Sequence, residues 1–259
     1  MAVTFITGAS SGIGRSLARR LGARGEVMAL VARREELLDS LAREIEDAGG
    51  KALAIPCDVT DRGSVHAAVA TATRELGPIE RLVANAGGGD PTFVDGFDAT
   101  QIERTLALNV VGAANCIEAV LPDMLARGAG HLVATSSLAA YRGLPSGAAY
   151  SAAKAALTNM MEALRVDLRG RGVDVSVICP GFVRVRSPGA SAGKKKKKFR
   201  PLRMELEDAT ALMERAIVER RRYYAFPRSM ALAVAVGWHL PAGLYDRLLA
   251  GRGRSEESG

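Results

Sequence analysis

Cysteine is scarce in this 259-residue chain, and its placement argues against a metal centre. Cys57, Cys116 and Cys179 stand far apart in apolar surroundings without metal-ligand spacing, so no metal site is expected. They are predicted to be buried free thiols of a reducing compartment, which points to the cytoplasm. No signal peptide is expected either, because a strand begins where the apolar core of such a leader would have to stand. A general basic surface is lacking too. The formal net charge is +7, but Lys194–Lys198 supplies five of those charges and leaves +2 for the remainder. No nucleic-acid partner is therefore expected. No internal repeat interrupts the alternation of strands and helices, and no domain linker precedes residue 180. With 48% apolar and 24% charged residues, the composition is that of an ordinary globular protein with a substantial core.

What is present is organised around the first fourteen residues. Val3–Ile6 is β-branched and aromatic and reads as a buried parallel strand. Glycines follow at 8, 12 and 14 in the loop Thr7-Gly8-Ala9-Ser10-Ser11-Gly12-Ile13-Gly14, and residues 15–24 continue with helical spacing. Strand, glycine loop and helix present unpaired N–H groups to a phosphate. Gly8 suits a left-handed turn, Gly12 leaves room for a pyrophosphate, and Gly14 permits close packing of the helix.

A second strand, residues 26–32, ends at Ala32, where a carboxylate would accept the ribose 2′-OH of NAD. Ala32 cannot do so, whereas Arg33 and Arg34 offer guanidinium groups to a 2′-phosphate. The alternative is that the two arginines merely decorate a helix start, but cations there oppose the helix dipole. NADP is accordingly expected over NAD. Lys51–Pro56 is a third strand, and Thr60 or Asp61 caps the next helix. Asp58 stands at that strand's tip, able to accept from an adenine amino group or simply to stabilise the turn. Ile79–Ala84 is a fourth strand that opens into the glycine-rich turn Asn85-Ala86-Gly87. A long helix is predicted over 100–127 with Asn109 as its odd polar residue, then a strand over 130–137, a helix over 150–169 and a strand over 173–179. One doubly wound parallel sheet accounts for this pattern.

Tyr150 and Lys154 lie four residues apart, one turn along a single helix face. A free tyrosine titrates near ~10, and a nearby ammonium together with a cationic nicotinamide ring would favour its phenolate. Such a phenol exchanges a proton with a carbonyl or alcohol oxygen while hydride moves at the adjacent carbon. Ser137, at a strand end, can hydrogen-bond the same oxygen and orient it.

Taken together, the glycine loop, Asp58-Val59, Asn85-Ala86-Gly87, Asn109, Ser137, Tyr150-x-x-x-Lys154 and Pro180-Gly181 resemble the short-chain dehydrogenase/reductase family over residues 2–183. The resemblance implies a Rossmann fold of about seven strands with helices on both faces. It implies Tyr150 as general acid/base, Lys154 on the nicotinamide ribose, Ser137 orienting substrate, and Asn109 holding a water that links Lys154 to solvent. It further implies that Thr7, Gly8, Ser10, Ser11, Gly12, Ile13 and Gly14 contact the cofactor. Asp58 meets its adenine, Asn85, Ala86 and Gly87 its adenosine side, and Val183 its carboxamide, with Val59, Pro180 and Gly181 also on the cofactor. Arg33 is placed on the 2′-phosphate, and a homodimer or homotetramer is expected.

Two features depart from the family pattern. Val185 stands where a threonine commonly holds the carboxamide or a phosphate, which predicts a weaker cofactor grip. Residues 184–206, with the Lys194–Lys198 run, occupy the place of a flexible substrate lid, and five adjacent like charges read as a solvated loop. The core is thus expected over 1–183, the lid over 184–206, and a tail over 207–259 that completes the same domain. That tail holds Met230, Val234, Trp238 and Leu244 but is too short and broken for a transmembrane helix. It is expected to pack on the domain or complete a substrate pocket, with interfacial membrane contact as the alternative. The predicted activity is NADP-dependent hydride transfer between nicotinamide and a ketone or aldehyde, or the corresponding alcohol, with a substrate of hydrophobic character. The competing expectation is a cofactor-binding regulatory or scaffold protein on the same fold.

Overall fold

The computed structural model describes residues 2–185 and 203–250; the Lys194–Lys198 run and most of the expected lid lie outside them. The first half runs β1 (Val3–Thr7), α1 (Gly12–Ala23), β2 (Val27–Ala32), α2 (Glu35–Asp47), β3 (Lys51–Pro56), α3 (Arg62–Leu76) and β4 (Ile79–Ala84). The second runs α4 (Ala99–Leu106), a π turn (Ala107–Val111), α5 (Gly112–Arg127), β5 (Gly130–Thr135), α6 (Ala148–Asp167) and β6 (Val173–Pro180). A short parallel pair, β7 (Val183–Arg184) and β8 (Met204–Glu205), precedes α7 (Leu206–Val218), β9 (Tyr223–Phe226), α8 (Arg228–Trp238) and α9 (Ala242–Leu249).

The main sheet has the order β3-β2-β1-β4-β5-β6-β9 and is parallel throughout. Every residue of β1, β2 and β5 is buried, as a parallel sheet covered on both faces requires. Phe5, Leu82, Leu132 and Val177 face a core shared with α3, α5 and α6; Ile6, Val83, Val133 and Ile178 face one shared with α1, α2 and α7. The order in which strands are added reverses between β1 and β4, and a crevice is expected outside their C-terminal tips. Local signals set the element ends. Asp61, not Thr60, caps α3 by accepting the Ser64 N–H at 3.1 Å. The helix predicted over 100–127 is continuous from α4 through α5 and carries a π turn between them, where Asn109 sits.

The sheet also buries a polar row that its apolar strands conceal in the sequence. Arg81 on β4 ion-pairs with Glu26, and its Nε donates to His131 Nδ1 at 3.2 Å. His131 on β5 is fully buried, and its Nε2 lies 2.8 Å from Ser176 Oγ on β6. With Nδ1 accepting, the neutral ring donates from Nε2. Burial, reinforced by Arg81 and Arg220, pushes the His131 pKa down to about 3. An unfolded histidine titrates near ~6.5, so between these values only the unfolded chain takes up the proton. Stability is present above ~6.5 and falls by about 1.4 kcal/mol per pH unit below it. Urea unfolding at pH 7 and pH 5 should show this loss, and His131→Asn should remove that part of the slope; an unchanged slope would refute the assignment.

Candidate active site

The crevice between the β1 and β4 tips opens into a cavity of about 700 Å³. At one end the glycine loop turns into α1. Gly8 has φ +67° and Gly12 φ +54°, both in the left-handed region. Gly14 is needed for closeness, since a Cβ there would lie 2.2 Å from the Gly8 carbonyl oxygen. Ser11 is extended and makes no side-chain cap, and the first turn of α1 carries no acid. Its free N–H groups therefore remain available where Ser10, Ser11, Gly12, Ile13 and Gly14 line the cavity.

Thr7 departs from the expected cofactor contact. It is buried and does not line the cavity; its hydroxyl accepts the N–H groups of Asn85 (3.0 Å) and Ala86 (2.9 Å). Asn85 returns the bond through Nδ2 to the Thr7 carbonyl at 3.0 Å. Thr7 thus joins the tips of β1 and β4 from behind, because an inward-facing hydroxyl in a parallel sheet must find backbone partners.

Next to the loop stand Ala32, Arg33 and Arg34. Arg34 Nη2 donates to Ser10 Oγ and Ser11 Oγ, each at 2.9 Å, and so joins the β2 tip to the glycine loop. Asp58 Oδ1 accepts from both the N–H and the hydroxyl of Thr60, and the backbone bond is the main cause that lowers its pKa. Asp58 therefore serves its turn while also lining the cavity beside Val59.

At the other end α6 carries Tyr150 and Lys154, with Ser137 facing them from the turn after β5. The fully buried Asn109 does not line the cavity; Oδ1 accepts the Gly88 N–H at 3.2 Å, while Nδ2 donates to the carbonyls of Gly88 (2.7 Å) and Thr105 (2.8 Å). It clamps the loop after β4 to the π turn. Gly87 fills the narrow gap: a Cβ on it would lie 2.5 Å from Asn109 Oδ1 and 2.9 Å from Lys154 Nζ. Lys154 Nζ donates to the Thr135 carbonyl at 2.9 Å and stands 5.7 Å from the Tyr150 ring centroid. Burial pulls the Lys154 pKa down to about 8, with Cys179 opposing.

The expectation that Lys154 and a cationic nicotinamide ring favour the Tyr150 phenolate concerns the cofactor-bound site; in the chain by itself burial dominates. Burial is the largest influence on Tyr150 and raises its pKa; the hydrogen bond with Ser137 opposes that shift and Cys179 adds to it. Burial favours the protonated phenol, and the Lys154 ammonium directs its hydrogen bond to the Thr135 carbonyl.

Two residues beside the catalytic set, Cys179 and Thr135, carried no functional signal in the sequence. The Cys179 thiol donates to Tyr223 Oη at 3.2 Å beneath Ser137, and burial pushes it up. Thr135 Oγ1 is buried with no partner beside Lys154. From the tail, Met230 and Val234 of α8 enter the cavity wall with Pro180, Gly181, Phe182, Val183 and Val185. Among the described residues, no cluster of three or more potential metal ligands occurs.

A family model described as short chain dehydrogenase matches residues 2–196. An uncharacterized oxidoreductase of Myxococcus xanthus is 39% identical over 242 residues, 93% of this chain and 94% of that protein. Among solved structures, a short chain dehydrogenase/reductase from Burkholderia phymatum in complex with NAD aligns at 28% identity and TM-score 0.80, covering 90% of this chain and 92% of the other. An alcohol dehydrogenase from Thermococcus sibiricus complexed with 5-hydroxy-NADP aligns at 25% identity and TM-score 0.76, covering 87% and 95%.

Proposed function

Because the chain belongs to the short-chain dehydrogenase family, we propose that it is an NADP-dependent oxidoreductase that interconverts a ketone or aldehyde and its alcohol. The observation that carries this reading is the convergence of Ser137, Tyr150 and Lys154 in one cavity with the glycine loop. The residues present fit a dinucleotide. The uncapped start of α1 suits a pyrophosphate, and Arg33 and Arg34 beside Ala32 suit a 2′-phosphate. The side-chain-free backbone at Gly87 lets a ribose approach Lys154. When bound, the nicotinamide supplies or accepts the hydride.

The chain's own groups handle the oxygen. Ser137 Oγ donates to the substrate oxygen and fixes its direction. Tyr150, held as the protonated phenol, gives its Oη proton to that oxygen as carbonyl becomes alcohol, and takes one back in oxidation. Lys154 holds positive charge against the developing phenolate, and Asn109 keeps the loop from drifting off Lys154. The exposed side chains Val111 and Val166 support assembly through the π turn and α6 as a homodimer or homotetramer. Free buried thiols support a cytoplasmic setting.

A panel of ketones and aldehydes followed by NADPH absorbance, with the alcohols followed in reverse, should reveal turnover. Failure of every member with both NADPH and NADH would overturn the enzyme reading. Val185 adds a graded prediction. Its Cγ1 lies 3.1 Å from where a Cβ on Gly12 would stand, so the side chain covers the glycine loop. Val185→Thr replaces a methyl by a hydroxyl at nearly constant volume and should lower the NADPH KM about three- to tenfold, the worth of one ordinary hydrogen bond. An unchanged KM would show that the residue makes no cofactor contact.

A further inference from the structure

The cavity changes character along its length. Apart from Lys154, its charged lining, Arg33, Arg34 and Asp58, belongs to the end by β2 and β3. Past Lys154 the walls are Leu138, Leu144, Phe182, Met230 and Val234, and no charged side chain lines them among the described residues. Met230 and Val234 are one turn apart and present one face of α8. Gly181 lets that face close on the loop after β6, since a Cβ there would meet Met230 Sδ at 2.7 Å.

The wall is also tied to the catalytic loop. Arg142, between Ser137 and Tyr150, donates from Nη1 to the carbonyls of Gly237 (2.6 Å) and Leu240 (2.9 Å) at the end of α8. Helix ends leave such carbonyls without intrahelical partners, and a guanidinium there also complements the dipole. The same guanidinium carbon lies 3.8 Å from the centroid of the Tyr245 ring on α9, and Tyr245 Oη donates to the Gly143 carbonyl. The Arg142 charge is thereby committed to the tail and is not presented to the cavity, whose lining does not include it.

Resting on the oxidoreductase reading, we propose that the substrate bears its reacting carbon on an uncharged apolar body, an alkyl chain or alicyclic ring. Met230 and Val234 grip that body, and Arg142 is the positioning residue that sets their wall against Ser137 and Tyr150. Reduction remains balanced as before: hydride and one proton join the C=O group, and Tyr150 supplies the proton. An apolar wall discriminates by buried area, so kcat/KM should rise about fourfold per added methylene until the wall is covered. A carboxylate carried into the same wall loses its hydration without a partner and should be turned over at least tenfold less well.

The test measures kcat/KM with NADPH for 2-alkanones from butanone to decanone, beside methyl-keto acids of matching length. The expected result is a rising series with the keto acids below it. Val234→Asp should flatten that rise, and Arg142→Met should raise KM for the long members more than it lowers kcat. Turnover that is flat with chain length, or that favours the keto acids, overturns the apolar-substrate inference and leaves the enzyme reading standing. An intact rise in both variants overturns the roles given to Val234 and Arg142. Absence of turnover on every member, and on the aldehydes of the wider panel, with both NADPH and NADH overturns the inference and the reading beneath it.

Discussion

Tyr150→Phe is expected to lower kcat for carbonyl reduction by about 10²- to 10⁴-fold, the range of a positioned general acid. The substitution removes a single oxygen and keeps the ring, so packing against the loop after β4 is retained. The phenol is raised by burial and held near Ser137, which makes it a proton donor ready before hydride moves. Ser137 keeps the Ala139 N–H at 3.1 Å in the variant, and Lys154 keeps the Thr135 carbonyl at 2.9 Å. The loss should therefore appear in kcat with little change in NADPH binding, as followed by fluorescence titration and steady-state kinetics. Activity within about threefold of wild type would remove Tyr150 as the acid, because a general acid is worth at least ~10²-fold.

Arg34→Ala should reduce kcat/KM with NADPH by about 10- to 100-fold and leave that with NADH within about threefold, since hydrogen bonds to a charged group are worth about 1.5–3 kcal/mol. The reasoning is electrostatic. A 2′-phosphate brings close to two negative charges, and the site offers Arg33, Arg34 and two serine hydroxyls with no carboxylate at the β2 tip. A competing role is available to Arg34, because its bonds to Ser10 and Ser11 also brace the glycine loop. The two roles part in the NADH arm: a brace serves both cofactors, and its removal would depress both equally. Equal losses would therefore withdraw the preference for NADP.

Much of this arrangement was legible in the residues. Val3–Thr7 is a continuous β-branched and aromatic run, Lys51–Pro56 and Ile79–Ala84 are short apolar-rich runs bounded by Gly or Pro, and such segments favour a buried parallel strand. The glycine loop and the Tyr150/Lys154 spacing were equally visible, because phosphate approach and a shared helix face are local requirements. The π turn at Asn109 was not. A π turn depends on which carbonyl the helix surrenders, and here the Thr105 carbonyl goes to the Asn109 side chain. Nor could spacing show that Thr7 faces away from the cavity, since which side of the sheet holds the ligand depends on packing at both faces.

The sequence by itself determined the strand–helix alternation, the loop that can receive a phosphate and the order in which phenol, ammonium and hydroxyl occur, because each follows from bonds within a few residues. Only the tertiary structure decided the upward shift of the Tyr150 phenol, the neutral His131 row and the closing of α8 on the loop after β6. These depend on desolvation and on contacts between residues dozens of positions apart, such as Arg142 with Leu240. Burial is a property of the assembled fold, and no short stretch of chain carries it.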